Sequence, residues 1–163
     1  GGSKTDDESL QSPPSDCLTV SCKMDVFSKE KRSEVMSRIK GRDTKIEKMV
    51  RSELFRFGFR FRKNDKRYPG RPDVILPKYK TAIQINGCFW HGHRNCRLYV
   101  IPKTRTEFWV SKIETNRVND RKNNKKLKKM GFSVLTIWEC KLKNNFKKQI
   151  NIIVKNLNQK HGN

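Results

Sequence analysis

No apolar run in this chain approaches the roughly 20 residues that cross a bilayer as a helix. No segment has the basic, then apolar, then small-residue order of a secretory signal. Acidic residues are scarce: 16 Asp and Glu stand against 38 Lys and Arg, a formal charge of +22. An excess of this size points to a polyanion. Nucleic acid is the expected one, ahead of an anionic membrane surface. The five cysteines, at 17, 22, 88, 96 and 140, are odd in number and lack the spacing of a stapled secreted scaffold. Reduced thiols and a metal site fit them better. Apolar content is only 34%, but the apolar residues are strongly periodic, which argues for a folded core. There are no internal repeats, and 163 residues fit one domain with a core of useful size.

Residues 1–24 are rich in Ser, Asp and Pro and read as a disordered segment. Gly1-Gly2-Ser3 has the look of a cloning remnant and Met24 of an original start. The remaining 25–163 form the expected domain. From Ser28 the pattern is helical, with Val35, Met36 and Ile39 on one face up to Gly41. Thr44-Lys45-Ile46-Glu47 has the capping-box form and opens a second helix carrying Ile46, Met49, Val50, Leu54 and Phe57 before Gly58. Phe59-Arg60-Phe61-Arg62 alternates like a strand. Asp73-Val74-Ile75-Leu76 and Thr81 to Asn86 read as two more strands, joined by the turn Pro77-Lys78-Tyr79-Lys80. A long helix is expected from about Thr106 to Lys129, using Trp109, Ile113 and Leu127 and stopping at Gly131. Phe132 to Trp138 is a near-continuous apolar run of the kind found in a buried central strand. The last helix carries Phe146, Ile150, Ile153, Val154 and Leu157. Helices around a small mixed sheet predict an α/β/α layered domain.

Chemistry concentrates in Gly87-Cys88-Phe89-Trp90-His91-Gly92-His93-Arg94-Asn95-Cys96, which holds two of the three histidines. Cys88, His93 and Cys96 are spaced like ligands of a zinc ion, and Cys140 completes a tetrahedral N/S set if the fold brings it close. Four such ligands make a closed, structural site. Unliganded buried cysteines with surface histidines are the plainer reading. Pro72-Asp73 followed by a second strand resembles the PD-(D/E)xK nuclease arrangement, in which two acids bind Mg²⁺ and a lysine assists the attacking water. Here the second strand reads Gln84-Ile85-Asn86, without that acid or that lysine. His91 can take a proton from water in the lysine's stead. Mg²⁺ needs only one or two protein oxygens, so Asp73 with a main-chain carbonyl suffices. Phe89-Trp90, in a basic protein, suits insertion between bases from a flexible loop.

Pro69-Gly70-Arg71-Pro72-Asp73, Gly87-Cys88-Phe89-Trp90-His91-Gly92-His93, Thr104-Arg105-Thr106-Glu107-Phe108-Trp109 and Trp138-Glu139-Cys140 together resemble the very-short-patch repair (Vsr) DNA mismatch endonucleases. The likeness runs from about Asp25 to Leu142, in order and in spacing. It implies a restriction-endonuclease-like fold and a monomeric, cytoplasmic bacterial enzyme, held to the nucleoid through DNA and working beside other mismatch-repair proteins. Such an enzyme nicks one strand of double-stranded DNA beside a T:G mismatch, using catalytic Mg²⁺ and a structural Zn²⁺, and leaves a 5′-phosphate. By position, Asp73 and the Ile85 carbonyl match the Mg²⁺ ligands, His91 the residue that activates water, and Glu47 and Asp120 supporting acids. Cys88, His93, Cys96 and Cys140 match the zinc ligands. Phe89, Trp90 and Trp109 match the aromatics that wedge into the base stack, and Met36 and Ile39 apolar residues that enter from the other groove. Lys112 and Asn116 match positions that contact the mismatch.

Asn86 departs from the pattern, standing where well-known members have a histidine; an amide can bond phosphate but cannot take a proton. One extra residue also lies between His93 and Cys96. Glu47 doubles as the capping-box acid, and Asp120 also fits a surface ion pair. Lys125, Lys126, Lys128 and Lys129 suit phosphate contact or plain solvation. Two rivals stay open: a restriction-type nuclease of the same fold acting on matched DNA, and a zinc-stabilised DNA-binding module whose nuclease centre has decayed.

Overall fold

The computed structural model describes residues 43–159. The expected helix at 28–41 with Met36 and Ile39, the segment 1–24 with Cys17 and Cys22, and His161 lie outside them. In chain order come α1 (Lys45–Arg56), β1 (Val74–Leu76), a 3₁₀ turn at Pro77–Tyr79, and β2 (Thr81–Asn86). After these come α2 (Thr106–Lys129), β3 (Ser133–Trp138), α3 (Glu139–Asn144) and α4 (Phe146–Gln159). The sheet order is β1-β2-β3, with β1 antiparallel and β3 parallel to β2. A parallel pair needs a long crossover, and the loop after β2 together with α2 provides it.

Every residue of β1 is buried, so the sheet must be covered on both faces. Val74, Leu76 and Ile83 meet Val50 and Leu54 of α1 and Ile150, Ile153 and Leu157 of α4. On the other face Ile75 and Ala82 meet Leu127 of α2. The expected α/β/α layering is present. No helix among the described residues is long and apolar enough to cross a membrane.

The expected helix stops are built in one way. Gly58 and Gly131 lie at φ +82° and +79°, the left-handed conformation that costs other residues a Cβ clash. Phe59 N–H reaches back to Leu54 O and Gly58 N–H to Phe55 O; Phe132 and Gly131 repeat the pair on Leu127 and Lys128. Both are Schellman motifs, and each places the aromatic after the glycine against the core.

Three expectations change. Phe59–Arg62 is not a strand: only Arg62 pairs, in an isolated bridge to Ile75. Met49 and Phe57 are 43% and 52% exposed, because the stripe facing the sheet is Glu47, Val50, Arg51 and Leu54, at i, i+3, i+4 and i+7. Two of those four are charged, so an apolar count passed over them and widened the stripe to Met49 and Phe57, while Val50, Leu54 and Ile46 do pack on the core. Lastly, β3 sits at the sheet edge among the described residues. Its apolar run reflects cover on both faces: Leu135 and Ile137 pack into one core, Phe132 and Val134 into the other. Such a run reports two covered faces, and it says nothing about two paired edges.

Leu54 is fully buried while Met49 is not. Leu54→Ala is therefore expected to lower unfolding free energy by about 3 kcal/mol, and Met49→Ala by less than about 0.5 kcal/mol, in urea denaturation. Equal losses would contradict the orientation of α1.

Candidate functional site

The loop after β2 is held by one face of α2. Asn116 Nδ2 donates to Trp90 O at 2.9 Å and Arg117 Nη2 to Gly92 O at 2.9 Å. Between them, His91 Nδ1 lies 2.5 Å from Asp120 Oδ2. Three consecutive loop residues are thus gripped by side chains at i, i+1 and i+4 of a helix. Gly92 permits the close approach: its φ is +59°, and a Cβ there would stand 2.8 Å from Ile113 Cγ2 and 3.0 Å from Arg117 Nε. With a carboxylate on Nδ1, the His91 tautomer bearing its proton there is favoured and Nε2 keeps its lone pair. The surface ion pair anticipated for Asp120 is replaced by this partner.

Cys88, His93, Cys96 and Cys140 converge, with one ligand atom from each lying within 4.8 Å of the others. His93 Nδ1 is 3.5 Å from Cys88 Sγ and 3.4 Å from Cys140 Sγ. A sulfur and a nitrogen at ordinary zinc bond lengths from one tetrahedral centre lie ~3.5 Å apart, so the donor set fits that ion. The parallel register explains why Cys140 arrives. Asn86 pairs with Trp138, and Cys88 and Cys140 are each two residues further on, where Cys140 N–H meets Cys88 Sγ at 3.4 Å. Cys140 lies in the first turn of α3, directly after β3 ends at Trp138. The His93 ring stacks on Trp138, with centroids 4.1 Å apart and planes at 5°. Burial pushes the Cys88 thiol up to about 12, so without a cation it holds its proton. Main-chain donation from Leu98 leads the effects that lower Cys96. Burial, then the charge of Lys141, lowers His93, in favour of the neutral form that binds metal.

Asp73 stands one residue before β1. Its Oδ2 accepts Ile85 N–H at 2.7 Å, occupying the place of the next ladder bond. Burial raises its pKa to about 6, against the Ile85 hydrogen bond; the Glu47 charge raises it further and Arg51 opposes. Glu47, 5% exposed, accepts from Thr44 Oγ1 at 2.8 Å and from Asp43 N–H at 2.9 Å, while Thr44 Oγ1 accepts Glu47 N–H at 3.3 Å. The capping box therefore closes on Asp43, one residue earlier than its pattern suggests. Arg51 was missed by sequence reasoning, although it lies one turn from Glu47. It is buried, with Nη2 2.5 Å from Asp43 Oδ1 and Nη1 3.5 Å from Glu47 Oε2. The second contact is an ion pair without hydrogen-bond geometry. Asn86 is buried at the end of β2.

Phe89, Trp90 and Trp109 meet edge to face at 5.1, 5.4 and 6.0 Å between centroids. The pair expected on a flexible loop is instead half-buried in an aromatic cluster and tied down through Trp90 O. Phe108, 46% exposed, adds a fourth ring 5.1 Å from Trp109 under the Arg105 guanidinium. Its position beside Trp109 was the available signal. Lys112 is exposed one turn further along α2, as are Lys125, Lys126, Lys128 and Lys129 near its end.

A family model described as DNA mismatch endonuclease Vsr matches residues 24–97. Type II nicking enzyme V.NmeAIP of Neisseria meningitidis is 53% identical over 120 residues, 74% of this chain and 85% of its own. DNA mismatch endonuclease Vsr of Escherichia coli is 45% identical over 119 residues, covering 73% and 76%. Type II nicking enzyme V.XorIIP of Xanthomonas oryzae is 40% identical over 118 residues, covering 72% and 86%.

Two outcomes follow from this geometry. His93→Ala is expected to lower the melting temperature and reduce bound zinc, by metal analysis, whereas His91→Ala leaves both near the parent's. Zinc-free folded parent protein would remove the metal centre. Asp73→Asn is expected to stabilise the fold without added Mg²⁺. The ionised Asp73 costs stability above about pH 6, its folded-state value against an ordinary 3.8. The gain is therefore full above that pH and vanishes as pH falls to the ordinary carboxylate range, in urea unfolding. A pH-independent effect would contradict the buried carboxylate.

Proposed function

The chain belongs to the Vsr family of DNA mismatch endonucleases, and from that premise we propose that it nicks one strand of duplex DNA beside a T:G mismatch, acting as a monomer on a restriction-endonuclease-like fold. The observation carrying this reading is the His91–Asp120 contact at 2.5 Å, on the loop that leaves β2 directly after Ile85 and Asn86. Asp120 holds the ring and its tautomer. His91 Nε2 takes the proton of the attacking water as the water oxygen bonds to phosphorus and the bond to the 3′ oxygen breaks. The leaving 3′ oxygen takes its proton from solvent water, so the products are a 5′-phosphate and a 3′-hydroxyl.

Asp73 and the Ile85 carbonyl would hold Mg²⁺. The fit rests on Asp73, a buried carboxylate whose ionisation is resisted by its surroundings and relieved by a cation. When bound, Mg²⁺ supplies positive charge at the attacked phosphate. Glu47 shares the field around Asp73, and Asn86 offers an amide to phosphate without a proton site. Cys88, His93, Cys96 and Cys140 would hold Zn²⁺ as a closed structural ion, with no position left for chemistry.

Mismatch recognition is assigned to the aromatic cluster of Phe89, Trp90 and Trp109. Rings entering the stack read how easily a T:G site deforms, beyond what base edges offer. Met36 and Ile39 enter from the other groove in this reading. Asn116 positions the wedge through Trp90 O, and its Oδ1, with Lys112, meets the mismatched bases. The exposed lysines of α2 bind phosphates and carry no base information. Other repair proteins would take up the nicked product.

Nicking of T:G and T:A duplexes of identical flanks tests the reading. T:G is expected to be cut far faster, and His91→Ala to lose about 10²–10⁴-fold in rate with DNA binding retained. Equal rates on both duplexes would overturn mismatch specificity, and undiminished cutting by His91→Ala would overturn the base.

A further inference from the structure

Gln84 lies within β2, only 9% exposed, and its Oε1 is buried with no hydrogen-bond donor. A buried amide oxygen without a partner is costly, and an apolar residue would serve a plain strand better. The sheet register shows what this amide neighbours. The β1–β2 ladder ends with Val74 paired to Ile83, and beyond it the Asp73 carboxylate accepts Ile85 N–H at 2.7 Å, so it lies against the backbone one residue from Gln84. Within β2, alternation puts Gln84 on the face of Ala82, which packs with Ile75 under Leu127 of α2, and Asn86 follows on it toward the loop. Asp120 is two turns before Leu127 on the same helix. Gln84 therefore opens onto the end of the layer that contains Asp73 and the loop of His91.

Building on the reading of Asp73 as a Mg²⁺ ligand, we propose that Gln84 supplies a second side-chain oxygen to the same cation, in the position where a second carboxylate would stand. Amide oxygens are ordinary ligands of hard cations, and an acceptor without a donor is left available for one. Charge explains why an amide serves here. Asp73 is buried beside Glu47, whose charge already opposes its ionisation, and Arg51 answers Asp43 as well as Glu47. A further buried anion would raise the repulsion, whereas Gln84 adds an oxygen without adding charge. The consequence is weak Mg²⁺ binding in the free protein and stronger binding once a DNA phosphate brings the missing negative charge.

Mg²⁺ titrations of the parent protein, Gln84→Met, Gln84→Glu and Asp73→Asn test this, read by melting temperature of the DNA-free protein and by nicking of the T:G duplex. Gln84→Met removes the orphan oxygen at nearly constant volume, so the metal-free melting temperature should not fall. Its half-saturating Mg²⁺ should rise about 10-fold or more in both readouts, the scale on which metal-site residues act. Gln84→Glu should shift the melting response of the DNA-free protein to lower Mg²⁺. Native titrations for Gln84→Met, beside an Asp73→Asn that has lost its Mg²⁺ response, would overturn the Gln84 assignment alone. A native Mg²⁺ response in Asp73→Asn would overturn the Asp73 reading and this one with it.

Discussion

The site depends on the parallel pairing of β2 with β3. That pairing sets Asn86 beside Trp138, so two chain segments far apart in sequence leave the sheet side by side. One continues into the loop from Gly87, the other into α3. Cys88 and Cys140 then meet by counting two residues along each, and His93 stacks on Trp138. A shift of one residue would turn Cys88 and Cys140 to different levels and reverse every side chain of the slipped strand. The crossover that makes the pairing parallel includes α2, the helix whose face grips the same loop. The Cys/His cluster, His91 and the aromatic cluster are therefore positioned by one topological choice.

The loop carries little regular structure yet is heavily constrained. On one side it is drawn in by the Cys/His cluster; on the other, Asn116, Asp120 and Arg117 hold Trp90, His91 and Gly92. His91 and His93 are two residues apart and face opposite ways, one to a carboxylate of α2, the other to sulfur and Trp138. Rigid support of this kind suits the proton transfer proposed for His91, whose geometry would be set before substrate arrives. The aromatic rings likewise form an assembled cluster, so a base stack would meet a prepared surface.

Burial of charge marks the other half of the site. Glu47 and Arg51 occupy inward positions of α1 that a purely structural helix would fill with apolar residues. Taking them out of water is unfavourable unless each finds partners; Glu47 meets Thr44, Asp43 and Arg51, and Arg51 meets Asp43. The acids around Asp73 are thus held by helix capping and by one guanidinium. Stability of the first turn of α1 and the electrostatics of Asp73 share the same atoms.

Local rules were enough for much of this protein. Helix ends at Gly58 and Gly131 were legible because a left-handed residue there has few alternatives to glycine. The limits of α2 and β2 followed from period and turn chemistry, and the Cys88, His93 and Cys96 cluster from ligand spacing within one short segment. Family motifs carried Asp73, His91 and Asp120. Sequence offers Cys140 as the fourth ligand only on condition that the fold brings it close and through the family likeness, and the fold does bring it to Cys88. What stayed hidden depends on partners distant in sequence: Asp120 as the partner of His91, and the inward side of α1 at Glu47 and Arg51. The same holds for the edge position of β3, whose apolar run has one appearance whether one edge is bonded or two. Sequence determined the elements and the chemical types, because those rest on interactions within a few residues. Tertiary structure alone decided which groups meet, because register, crossover and the burial of charge arise only when the strands pair.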